Sequence, residues 1–221
     1  MKQKKAFTLS EALASLLIIG VITTLTVPPI QQNVTRQTNA QSLRKALGVL
    51  NSTIETSLIK SEFRPNPNCY YDESNNNNLI YSQCDDLYKY IKERLSIIKD
   101  CSNSSGCFPD GNNKYKTISK ATETGKGAIT TATESCNAFN TMNEITRKAF
   151  VLKNGMIIFQ SDNAAILAVD VNGKKGPNKW GGDLFTIVLK GKHGTLPTYQ
   201  PGGCSKYEKG GIDSVTLLEE Y

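Results

Sequence analysis

The stretch FTLSEALASLLIIGVITTLTVPPI, residues 7–30, follows the short opening MKQKKA and decides how the rest of the chain is read. From residue 12 to residue 30 it is apolar nearly throughout, and a helix of about twenty such residues crosses a bilayer core. Lys2, Lys4 and Lys5 precede it. Positive charge on that flank holds the N-terminus on the cytoplasmic side and sends the remainder outward. A removable secretory signal would close on a small-x-small cleavage site, but this run closes on TLTVPPI. An anchor is therefore expected. An anchor alone does not account for Glu11, because a carboxylate at the start of an apolar helix is costly without a partner. A cut between Ala6 and Phe7 would supply one. It would create an α-amine about one helical turn from Glu11, on the same chain or on a neighbour.

Beyond the apolar run the pattern changes. Leu43, Leu47, Leu50, Ile54 and Leu58 recur at helical spacing and leave Arg36, Arg44, Lys45 and Glu55 off the stripe. One helix is predicted from Phe7 to about Ser61, apolar all round at first and one-sided later, with a kink where Pro28 removes a backbone hydrogen bond. The second half is suited to lying on a folded head.

KKAFTLSEALASLLIIGVI resembles the cleavage and methylation motif of type IV prepilins and type II secretion pseudopilins. The resemblance covers about the first tenth of the chain and implies a processing route: a membrane peptidase cuts after Ala6 and methylates the new amine of Phe7. It implies that Glu11 guides subunit registry in a filament and that Pro28 stands where many such subunits kink. The family usually has Gly before the cut, and Ala6 is a tolerated minority. The partners implied are other pilin or pseudopilin subunits, the prepilin peptidase and an inner-membrane assembly platform. The location implied is the bacterial inner membrane, with the C-terminal head outside the cytoplasm, and then a filament. The resulting division is a leader over 1–6, an assembly helix over 7–30, its amphipathic continuation over 31–61 and a Cys-containing head over 62–221.

The head is polar, with hydrophobic residues at 38% of the whole chain, so its core needs support. None of the six cysteines forms a C-x-x-C pair, which removes the usual zinc and thioredoxin-like spacings and leaves disulfides in an oxidising compartment. Local closure favours Cys69–Cys84 and Cys101–Cys107 and leaves Cys136 with Cys204. Residues 62–78, with Pro65, Pro67 and a run of asparagines, read as a loop. Residues 85–98 (DDLYKYIKERLSII) read as a short amphipathic helix through Leu87, Ile91, Leu95 and Ile98. AFVLK-NG-MIIFQ reads as a hairpin with a type I′ turn at Asn154-Gly155. Residues 164–171 and 183–190 read as two further strands. The fold class expected is α+β: a long N-terminal helix packed on a C-terminal antiparallel sheet, which is also what the resemblance implies.

Between the last two strands lies DVNGKKGPNKWGGD, residues 170–183. Asp170, Asn172, Asn178 and Asp183 alternate there with glycines. Calcium takes six to eight oxygen ligands on a flexible loop, although the spacing is not that of an EF-hand. Polar side chains capping their own turn are the competing reading. Trp180 is either an exposed contact or a lid on the sheet. No cofactor is otherwise required.

Catalytic signals are missing. The only histidine, His193, sits in the loop-like GKHGT, and no G-x-S-x-G, H-E-x-x-H or complete Walker A sequence occurs. Neither an enzyme nor a small-molecule substrate is expected. The net charge of +6 would fall to about +3 without the leader lysines, which argues weakly for nucleic acid. Lys174, Lys175 and Lys179 form a local basic cluster and are a minor polyanion candidate. Three readings follow: a structural filament subunit, a scarce tip subunit whose head binds a surface, substrate or DNA, and a monomeric anchored protein.

Overall fold

A computed structural model describes residues 8–59, 69–76, 78–80, 84–101, 107, 115, 139, 149–160, 165–193, 195–202, 207–208 and 210–221, apart from the side chains of 57–59 and 78–79. The leader, Ala6, Phe7, Cys136, Cys204 and the Leu58 side chain lie outside that set. The architecture is α+β: one long N-terminal helix followed by a largely antiparallel sheet. The chain divides into two compact units after Thr38.

Helix α1 spans Leu9–Ile59 and runs unbroken through Pro28 and Pro29. In the first unit its apolar side chains are exposed, among them Leu13, Leu17, Ile22, Leu25 and Ile30. Thr23 and Thr26 return their hydroxyls to the carbonyls of Ile19 and Ile22, at 2.7 and 2.9 Å, so these hydroxyls are satisfied within the helix. From Asn39 onward α1 belongs to the second unit, and its apolar stripe is buried: Leu43, Leu50 and Ile54 are fully covered, with Leu47 half-buried. Ala40 and Ala46 complete the contact face. Arg44 and Lys45 stay exposed, as the stripe requires.

The sheet has the order β2-β1-β7-β6-β5-β4-β3, with β8 also paired to β7. Its strands are β1 Tyr70–Asp72, β2 Asn78–Ile80, β3 Ile97–Asp100, β4 Ala149–Leu152, β5 Ile157–Gln160, β6 Ile166–Asp170, β7 Leu184–Gly191 and β8 Thr198–Pro201. Nearly every residue of β5, β6 and β7 is buried. Such unbroken burial means that both faces of these central strands are covered, unlike a sheet with one wet face. Asn51 of α1 fastens the helix to the sheet. Its amide donates to the Tyr199 carbonyl at 3.0 Å and its Oδ1 accepts from the Tyr199 amide at 2.6 Å.

Three local expectations are corrected. The stretch 62–78 is not all loop, because Tyr70–Asp72 forms β1, and Tyr71 and Asp72 pair in parallel with Lys190 and Gly191 of β7. The helix expected over 85–98 is shorter: α2 spans Cys84–Arg94, and Ile97–Asp100 turns away as β3 against β4. Leu87, Ile91 and Leu95 keep their buried places, whereas Ile98 is 65% exposed on the strand. The hairpin turn is not type I′, which needs positive φ at both central residues. Only Gly155 takes positive φ, at 88°, and Leu152 bonds to Met156 across a three-residue loop.

Cys69–Cys84 ties the start of β1 to the first residue of α2, and Cys101–Cys107 closes a short loop after β3. A last helix, α3, covers Ser214–Glu220 and is capped by Asp213, whose carboxylate accepts from Val215 N and Thr216 N at 3.0 Å. Leu217 anchors it in the core.

Candidate functional site

Two places carry unusual chemistry, one in each unit. The first is the start of α1. Glu11 Oε2 accepts from the Thr8 amide at 2.9 Å and from the Thr8 hydroxyl at 2.8 Å, while Thr8 Oγ1 accepts from the Glu11 amide at 3.3 Å. This is a reciprocal capping box, which the sequence signals as Thr8-Leu9-Ser10-Glu11. The reading of Glu11 from the residues alone looked for a positive partner in the amine of Phe7 and missed this one at Thr8. The carboxylate therefore has a structural role at the helix start before any amine is considered. Phe7, whose amine would be the positive partner, lies outside the described residues.

Immediately after this cap comes the exposed apolar surface. The helix meets the length and composition of a membrane span, with mean hydropathy 2.0 over its most apolar window and none of that window buried. An apolar surface of this extent on a chain points to lipid or to other protein as its cover.

The second place is the loop between β6 and β7. Asp170 ends β6, and its Oδ1 accepts from the amides of Asn172 at 3.0 Å and Gly173 at 2.7 Å. The hydroxyl of Tyr115 donates to its other oxygen. Asp183, just before β7, accepts from the amides of Asn178 and Lys179, each at 2.8 Å. Both carboxylates are fully buried. Burial pushes Asp170 from the ordinary 3.8 up to about 7, and the negative charge of Asp183 adds to the rise against the bonds from Tyr115, Asn172 and Gly173. Burial raises Asp183 too. The Tyr115 hydroxyl is driven upward by burial and then by Asp170, so it stays protonated as a donor.

The four residues singled out from sequence thus converge, and Asn172 contributes twice. Its side-chain amide donates to the Gly176 carbonyl at 3.0 Å and bonds Asp183, while its Oδ1 is buried with no partner among the described residues. The bonds to Asp170 and Asp183 are those of a self-capping turn. The orphaned Oδ1 beside two buried carboxylates is the feature that such a turn leaves unexplained. No group of three or more His, Cys, Asp or Glu side chains comes together among the described residues, so any cation here would need amide and carbonyl oxygens as well.

Sequence reasoning missed Tyr115 and Glu208. Tyr115 lies far along the chain in a weakly patterned stretch, and no local signal marks it. Glu208 is buried and accepts from the Trp180 amide at 3.2 Å, while its own amide bonds the Trp180 carbonyl at 2.9 Å. Trp180 itself is 2% exposed and packs on Phe139 at 5.7 Å between ring centroids. It is an interior residue and not a surface contact.

The raised Asp170 has a consequence for stability. A folded-state value above the unfolded one means the native chain holds a proton that the unfolded chain has released. In chelator, the contribution of Asp170 to stability is therefore expected to be fully present below about pH 4, to fall as pH rises toward 7, and to be lost beyond. Asp170→Asn is expected to flatten much of that slope. Thermal melts of both proteins across this range check it, and parallel curves would contradict it.

Comparison with sequence profiles of known families, with characterised proteins and with solved structures finds no match to this chain.

Proposed function

We propose that the chain is a pilin-like structural subunit of a type IV pilus or a secretion pseudopilus. Residues 1–6 are removed after Ala6, Phe7 becomes the methylated N-terminus, and residues 7–30 hold the chain in the inner membrane until it joins a filament. The supporting observation is the pairing of an uncovered apolar helix with a carboxylate at its first turn. A plain anchor needs the first and uses the second only as a helix cap, whereas a filament subunit also gives the carboxylate a charged partner. The helix also continues into the head, where Leu43, Leu50 and Ile54 become part of the core. Disulfides at Cys69–Cys84 and Cys101–Cys107 agree with a head folded in an oxidising space.

This reading is tested by mechanical shearing of cells that express the chain with its assembly machinery. A filament subunit is expected in the sheared fraction, abundant if it is the main subunit and scarce if it sits at the tip. Retention of all of the chain in the membrane would favour the monomeric anchor instead.

A second reading concerns the β6–β7 loop. The orphaned Asn172 oxygen beside Asp170 and Asp183 favours a calcium site, with Asn178 also in reach of the loop's interior. A bound cation would supply the positive charge that two buried carboxylates lack. At pH 7.5, calcium is expected to raise the melting temperature by about 5 °C relative to chelator, the scale set by a few kcal/mol of linkage. An unchanged midpoint would leave the self-capping turn as the whole account.

A further inference from the structure

Where α2 ends, three segments of the head leave a gap between them. α2 stops at Arg94, the Leu95 amide still bonds the Ile91 carbonyl at 3.0 Å, and the chain then turns into β3. The β4–β5 turn runs alongside, fastened by the bond from the Lys153 amide to the Ser96 carbonyl at 2.9 Å. The third segment is the flank of α1 that carries Val49. Arg44 and Asn51, about two helical turns apart, hold α3 and β8 on one flank of that helix. Val49 stands on the other flank and is 37% exposed. Between the three segments lies a cavity of about 370 Å³, lined by Val49, Leu95, Ser96, Leu152, Lys153 and Asn154.

Its floor is apolar, with Leu95 and Leu152 buried and Val49 at one side. Its polar lining is rich in donors. The acceptors there are largely spent: the carbonyls of Leu95, Ser96 and Leu152 take the amides of Ile97, Lys153 and Gly155. Asn154 Oδ1 takes the Met156 amide at 3.2 Å. The donors are not spent in the same way. The amides of Ser96 and Asn154 bond no backbone carbonyl among the described residues, and Lys153 forms no ion pair among them. No acid is among the described residues that line the cavity. An apolar floor under such donors and one lysine suits a molecule with an apolar body and a carboxylate end. Bonds from N–H groups to a carboxylate are about twice as strong as neutral ones.

We propose that this cavity captures the free C-terminus of a partner polypeptide. The last side chain, branched and aliphatic, rests on Val49, Leu95 and Leu152, and the carboxylate takes the donors of Ser96, Lys153 and Asn154. These three polar residues are exposed, so the cavity is open on its polar side. It takes one end of a longer molecule and does not enclose a whole one, as a small-molecule pocket does. Capture of a terminal carboxylate by backbone amides is a recurring mode of peptide recognition. With a single side chain supplying the apolar contact, binding is weak and reversible. The site belongs to the head alone, and it stands whether the chain joins a filament or stays anchored.

The test is methyl NMR of the full-length chain, labelled at Val and Leu, in nanodiscs of phosphatidylcholine. The probe is N-acetyl-Ala-Leu with a free carboxylate, compared with the same dipeptide as its C-terminal amide. The methyls of Val49, Leu95 and Leu152 are expected to shift saturably with the acid, and the amide to bind roughly fivefold more weakly. Lys153→Gln should weaken the acid about threefold and leave the amide unchanged. Unmoved methyls of Leu43 and Leu50 in the core report that this variant is intact. No saturable shift at the three lining residues overturns the proposal. So does equal binding of acid and amide, or an intact Lys153→Gln chain that binds the acid as well as the parent does. 4-Methylpentanoate has the same carboxylate and branched chain without a peptide bond, and it should bind about threefold more weakly than the dipeptide acid. Equal or tighter binding overturns the chain-end assignment in favour of a free apolar acid.

Discussion

Glu11→Ala is expected to remove the chain from sheared filaments, by at least tenfold, while leaving it inserted in the membrane. The geometry at the helix start gives this experiment two controls. Glu11 and Thr8 form a capping box, so loss of assembly in Glu11→Ala could reflect a frayed helix start. Losing a cap of this kind costs about 1 kcal/mol. Thr8→Ala also breaks the box but keeps the carboxylate, and it is expected to assemble. Glu11→Gln keeps the box, since glutamine serves equally at that position, but loses the charge. It is expected to fail as badly as Glu11→Ala. The opposite pattern, with Thr8→Ala defective and Glu11→Gln normal, would make Glu11 a helix cap and nothing more.

The second large effect lies in the head. Gly181→Ala is expected to lower stability by more than about 3 kcal/mol, because it combines a left-handed backbone with a blocked Cβ position. Gly181 has φ of 73°, and its Cβ would meet the Tyr207 Cβ at 2.4 Å and the Ile212 carbonyl oxygen at 2.6 Å. Neither is the end of a flexible side chain. The segment around Tyr207–Ile212 would have to lift, breaking the bonds from Glu208 N to Trp180 O and from Ile212 N to Gly181 O, both 2.9 Å. A melting temperature lower by about 10 °C, or an insoluble head, is the expected result for a domain of this size. A melt within about 2 °C of the parent would show that this segment is not fixed against the loop.

The parts of the fold that were legible in the residues are those specified locally. The Leu43-Leu50-Ile54 stripe was readable because helical periodicity and burial coincide along one short stretch. The apolar strands β5, β6 and β7 were readable because each is β-favouring and bounded by Gly, Asn or Asp. What was not legible depends on distant pairing. Tyr70 and Tyr71 sit among prolines and asparagines, and they become a strand by pairing with the short β2 on one side and, through Tyr71 and Asp72, with β7 far along the chain on the other. Ile98 continues the helical spacing of Leu87, Ile91 and Leu95. Hydrogen bonding to β4, including Lys153 N to the Ser96 carbonyl at 2.9 Å, overrides that local preference.

The candidate site divides the same way. Asp170, Asn172, Asn178 and Asp183 were found because a Gly- and Asn-rich loop between strands gathers oxygens within a short span. Tyr115 and Glu208, which bond the Asp170 carboxylate and the Trp180 backbone, come from segments with no shared pattern. Trp180 was ambiguous for a related reason: its burial rests on Phe139 and on the 207–212 segment, not on its neighbours.

The most direct test of processing at Ala6–Phe7 is the intact mass of the mature chain, purified from cells that carry a prepilin peptidase. A chain that begins at Phe7 and carries one added methyl group is the result this account requires. A chain that still begins at Met1, or one cut near Pro29, would contradict it.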